Sequence, residues 1–82
     1  MAIKLESGFE ILRHSDLSYE EMTAEIQYKG EQIAQINMDE GLDNLEVEIF
    51  TEFVASGFKL KFQLNDFLEA VNEAKKVLGE YK

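Results

Sequence analysis

The hydrophobic period of the chain changes once, at Asn65, and that change sets its fold class. Before it, apolar residues recur at every second position. Met22, Ala24, Ile26 and Tyr28 alternate with Thr23, Glu25 and Gln27, the period of a strand with one buried face. Ala34, Ile36 and Met38 repeat the pattern, as do Leu45, Val47 and Ile49 against Glu46 and Glu48. Phe58, Leu60, Phe62 and Leu64 alternate with Lys59, Lys61 and Gln63. After Asn65 the spacing lengthens: Phe67, Val71, Ala74 and Leu78 fall on one helical stripe, which Leu68 and Ala70 widen. Strands are expected at about 9–13, 22–28, 32–38, 45–50 and 58–64, with further pairing around Ile3 and Leu5, and a helix at about 66–78.

Short turns separate the strands. Lys29-Gly30-Glu31 and Asp39-Glu40-Gly41-Leu42-Asp43-Asn44 hold the residues that turns favour. Asn65 or Asp66 is the expected helix N-cap, Asp66 and Glu69 have capping-box spacing, and Gly79 is the expected C-cap. The expected architecture is α+β: an antiparallel β-meander of four to five strands with one C-terminal α-helix packed on one face. With 82 residues there is room for one domain, 1–82. Its expected core is Ile26, Ile36, Leu45, Val47, Ile49, Phe58, Leu60, Phe62, Phe67, Val71, Ala74 and Leu78.

A single helix covers one face of a sheet. The other face is expected to present Glu25, Gln27, Gln35, Glu46, Glu48, Lys59, Lys61 and Gln63. Pairing of the Leu45 and Phe58 strands would set Glu46 and Glu48 opposite Lys59 and Lys61. By the same alternation Ile33 and Phe50 would point outward, as the centre of a binding patch, but the register is open and ordinary burial is the stronger expectation.

Charge narrows the function classes. The chain holds 17 acidic and 8 basic residues, a net of -9. Residues 15–57 contain eleven acids against one base, Lys29, while the two ends are nearly neutral. This balance opposes direct binding of nucleic acid or of an anionic membrane, both of which require Lys and Arg. It favours a basic protein partner, drawn in by charge. The absence of Cys leans toward a reducing compartment. Charge at Lys4 and Glu6 interrupts the start before any apolar signal region, so a cytoplasmic location is expected.

Catalytic and metal-binding patterns are weak. His14 is the only histidine, and its neighbours Ser15 and Asp16 do not make a triad by adjacency. Asp39, Glu40, Asp43, Asn44 and Glu46 lack calcium-loop spacing and read as a hairpin turn. The glycines are isolated and form no phosphate loop, and a single sheet with one helix offers little cleft for a sugar between paired carboxylates. No enzyme, cofactor or metal is expected. Tyr28 belongs to the core face, whereas Tyr19 lies in the acidic string Tyr19-Glu20-Glu21 and suits an interface.

Three segments carry a resemblance: Met22-Thr23-Ala24-Glu25-Ile26-Gln27-Tyr28-Lys29-Gly30-Glu31, Asp43-Asn44-Leu45-Glu46-Val47-Glu48-Ile49, and Asp66-Phe67-Leu68-Glu69-Ala70. In style and layout the chain resembles small acidic bacterial immunity proteins, encoded beside polymorphic or contact-dependent inhibition toxins. The resemblance implies a cognate toxin domain, often a basic nuclease, blocked by a tight complementary complex. A nucleic-acid mimic is a variant of the same inhibitor reading. The expected contacts are Tyr19, Glu20, Glu21, Glu25, Glu46, Glu48 and Glu52. The alternative is a homo-oligomeric structural or accessory domain, a homodimer for example, that uses an open edge strand or the pair Ile33 and Phe50.

Overall fold

The computed structural model describes residues 2–51 and 60–81. Five strands precede one helix: β1 (Ala2–Lys4), β2 (Phe9–His14), β3 (Thr23–Tyr28), β4 (Glu31–Asn37), β5 (Glu46–Ile49) and α1 (Leu64–Tyr81). The strands form one antiparallel sheet in sequence order, an open meander with α1 against one face. This is the α+β architecture that the two periods require.

The β3–β4 hairpin shows the local chemistry. Tyr28 pairs with Glu31, and the two loop residues Lys29 and Gly30 have φ of 49° and 85°. Positive φ at both positions matches the right-handed twist of the flanking strands. Gly30 reaches it without strain, and Lys29 is carried there by the hairpin.

Helix α1 lies over β2 and β3. Ala70, Ala74, Val77 and Leu78 meet Phe9, Ile11, Ala24, Ile26, Ala34, Ile36 and Met38 in the buried core. The small side chains of Ala70 and Ala74 let the helix approach closely. One end of this layer is closed by rings: Phe9 lies 4.7 Å from Tyr28 and 5.0 Å from Phe62, and Phe62 stacks on Phe67 at 5.3 Å.

Several expectations are corrected. The expected pairing around Ile3 is present as β1, which makes the fifth strand among the described residues. In the segment expected to be a strand at 58–64, Phe58 and Lys59 lie outside the described residues. Residues 60–63 enter no strand, and the helix begins at Leu64. The alternation there serves the ring cluster, since Phe62 packs on Phe9. Asp66 therefore sits in the first helical turn, where a negative charge suits the dipole, and not at the cap. The helix continues through Gly79 to Tyr81.

Val47 and Ile49 are the larger correction. They pair with Ile36 and Ala34 and so share the helix-facing side of the sheet. Yet they are 57% and 55% exposed, because α1 covers β2 and β3 and does not extend over β5. Leu45, Leu60, Phe62, Phe67 and Val71 are half-buried at the margin of the core, and Phe58 lies outside the described residues. Ile33 takes the buried alternative. The register shifts between Ile26 and Gln27, Ile33 is the extra residue of that bulge, and it is buried. Phe50, the other residue of that pair, is half-buried.

Unequal cover predicts unequal stability. Leu78→Ala should cost about 2–5 kcal/mol in urea unfolding, the usual range for emptying a fully buried leucine site. Val47→Ala should cost less than about 1 kcal/mol, since the side chain already meets water. Equal losses at the two positions would mean that β5 is covered.

Candidate protein-interaction face

The face opposite α1 is polar but not simply open. Thr23, Glu25, Gln35 and Asn37 are all buried. The connection at 15–22 folds back against this face, held by hydrogen bonds that reach across the sheet.

Its first anchor is Asp16. One carboxylate oxygen accepts from the Ser18 backbone N–H at 2.8 Å, and the other accepts from Gln35 Nε2 at 3.0 Å. Together with the Tyr19 N–H bond to the Asp16 carbonyl, this makes a compact Asx turn. The Ser18 amide, then the Gln35 amide, hold the Asp16 carboxyl below its usual range. Gln35 Oε1 lies 3.0 Å from Thr23 Oγ1, which also lies 2.9 Å from the His14 carbonyl. The single hydroxyl proton is shared between two acceptors, so the inner layer is satisfied without water.

The second anchor is Asp39, just beyond β4. Its two carboxylate oxygens accept from the Glu20 and Glu21 backbone N–H groups at 3.1 and 2.9 Å. This clasp fixes the string Tyr19-Glu20-Glu21 beside β5. Tyr19 then donates its hydroxyl to Glu48 Oε1 at 2.8 Å.

The expected contact residues divide accordingly. Glu46 and Glu48 are exposed on β5, opposite Asn37 and Gln35. Glu20 is exposed, while Tyr19 and Glu21 are half-buried beside them. Glu25 is corrected out of the exposed set: it is 6% exposed, and Gln27 Nε2 and Gln32 Nε2 donate to its two oxygens at 2.7 and 3.1 Å. It alternates in phase with the outward residues, but it sits on a central strand between neighbours whose amides hold it. Glu52 lies outside the described residues. Across from Glu46 and Glu48 no cation is placed among the described residues, and the one ion pair described is Lys76 with Glu73 at 3.4 Å.

A polar cleft of about 280 Å³ opens between the connection and the sheet, lined by His14, Asp16, Glu25, Gln35, Glu48 and Phe50. Its carboxylates are held by amides and hydroxyls. Among the described residues no group of three or more His, Asp or Glu side chains is arranged to hold a metal ion. The Asp39–Asn44 segment is a pair of backbone turns, with Gly41 N–H bonded to Met38 O and Asn44 N–H to Gly41 O. No helix among the described residues is long and apolar enough to cross a membrane.

Sequence reasoning missed the Asp16–Gln35–Thr23 layer and the Asp39 clasp. The spacing Asp16-x-Ser18 is an Asx-turn signal and could have located the first. Nothing in the sequence pairs Asp39 with the amides of Glu20 and Glu21. Comparison with protein-family models, with curated proteins and with solved structures finds no match for this chain.

The Tyr19 contact predicts a pH response. The Glu48 carboxylate accepts the phenol proton and raises the Tyr19 pKa above its ordinary value of about 10. The protonated phenol is the favoured form, so this contact contributes fully below about pH 10 and is lost as pH rises through the higher folded value. In a ¹³C-tyrosine NMR titration the Tyr19 ring should titrate above free tyrosine, and Glu48→Ala should bring it back down. Identical titration in both proteins would rule out the hydrogen bond.

Proposed function

We propose that this chain is a non-catalytic acidic binding protein, most specifically an immunity protein that neutralises a basic toxin domain by occupying its basic site. A nuclease is the natural target class, because a site that binds phosphate is lined with Lys and Arg. The observation that carries the reading is the pair Glu46 and Glu48. They stand exposed on β5, without a cation across them among the described residues, and continue into the fixed Tyr19-Glu20 segment. A chain with a net charge of -9 adds long-range attraction to this local complementarity. The backbone clasp on Asp39 also holds the connection in place before any partner arrives, which lowers the ordering cost of binding.

Affinity purification of the tagged protein from its host, washed at low and at high salt, tests the reading. The expected result is one stoichiometric basic protein, toxic when expressed alone and weakened by salt. Glu46→Lys combined with Glu48→Lys should slow its association by about tenfold or more with the fold unchanged. Recovery of the protein only with itself, at every salt concentration, would instead establish a homo-oligomeric accessory role.

A further inference from the structure

β5 is the last strand of the sheet, and among the described residues it is paired on one side only. Phe50 N–H donates to Ile33 O at 2.8 Å, which fixes the phase of the ladder. In an antiparallel pair the bonded residues alternate, so Glu46 and Glu48 direct their backbone groups to β4. Val47 and Ile49 therefore direct their N–H and C=O groups away from the sheet. All four residues are exposed.

The side chains of this edge are sorted by face. Val47 and Ile49 lie on the helix side, where Val47 lines a mainly apolar groove of about 360 Å³ with Ile36, Leu42, Leu45 and Val71, to which Asp43, Glu46 and Lys75 add charged groups. Leu42 is itself 43% exposed. Glu46 and Glu48 lie on the other side. An added strand would thus meet two apolar neighbours on one face and two carboxylates on the other.

We propose that the free edge of β5 captures an extended segment of a basic protein whose residues alternate apolar with Lys or Arg. The proposal rests on the inhibitor reading and names how the partner is held. Backbone hydrogen bonds to Val47 and Ile49 would supply binding, and the alternation would supply selectivity. The apolar side chains would cover the groove between β5 and α1. The basic ones would lie beside Glu46 and Glu48, where opposite charges on neighbouring strands attract. A second copy of this chain is the wrong occupant. Antiparallel self-pairing of β5 sets Glu46 and Glu48 beside the same carboxylates, where like charges repel, and parallel self-pairing sets each carboxylate beside Val47 or Ile49, where it gains no opposite charge.

A short synthetic peptide in which valine alternates with lysine is the probe, titrated into ¹⁵N-labelled protein. Binding should perturb residues 46–49 and slow amide exchange at Val47 and Ile49. A peptide of the same composition with its valines and lysines in separate blocks should bind at least about tenfold more weakly. N-methylation of the backbone amides that face β5 should abolish binding, a control that leaves the protein unaltered. Equal binding of the alternating and block peptides would overturn the proposal. So would slow exchange at Val47 and Ile49 without peptide, whether released by dilution (a second copy) or by Lys59→Glu with Lys61→Glu (the chain's own basic segment).

The captured partner separates the two readings. Val47→Pro removes an outward N–H and keeps every carboxylate, and it should weaken capture. Capture that survives Val47→Pro but fails with Glu46→Lys and Glu48→Lys overturns edge pairing and leaves the inhibitor reading standing. Capture that survives both overturns the inhibitor reading itself.

Discussion

An α-helix with its side chains is about 10–12 Å wide, and strands lie about 4.8 Å apart. The single helix Leu64–Tyr81 therefore spans about two strands of a five-stranded sheet. It is placed over β2 and β3, where Phe9, Ile11, Ala24 and Ile26 give it the most apolar surface to bury. Everything beyond β4 is left without helical cover. The exposure of Val47 and Ile49 and the groove beside them are consequences of that one mismatch in width.

The opposite face solves a different problem. A polar face next to water needs no internal partners, but here the connection at 15–22 returns across it, and its buried groups must be paired. Asp16, Gln35 and Thr23 provide those pairs in the interior, and Asp39 fixes the outer part of the connection through two backbone amides. The β5 end of the face, with Glu46, Glu48 and the Tyr19–Glu48 hydrogen bond, remains in contact with solvent. Apolar and acidic surfaces thus meet along one strand.

Periodicity made the elements legible. The alternation at 22–28, 32–38 and 45–50 yields β3, β4 and β5, and the change near Asn65 yields the helix. Period says which way a side chain points, but not whether anything lies above it. Val47 and Ile49 point the same way as Ile36 and Ala34 and differ from them in cover alone. Glu25 fails for the mirror reason: it points outward like Glu48 but is buried on a central strand, where Gln27 and Gln32 donate to both of its oxygens. Ile33 fell at a bulge, where one extra residue breaks the alternation. The exposed part of the candidate face was readable as a run of carboxylates on an alternating strand. Its supports, Asp39 and Gln35, act through long-range hydrogen bonds that no local pattern encodes.

The most direct measurement of whether β5 lies open uses the natural lack of cysteine. Val47→Cys, Ile49→Cys and Ile11→Cys would each place one thiol in an otherwise thiol-free chain, and reaction with an aromatic disulfide reagent reports its access. The thiols at 47 and 49 should react nearly as fast in the native protein as in the unfolded chain, while the thiol at 11 should react only through unfolding. Protection at 47 and 49 comparable to that at 11 would contradict an open β5, because a covered β5 has neither the exposed apolar strip nor the free edge on which a partner would dock.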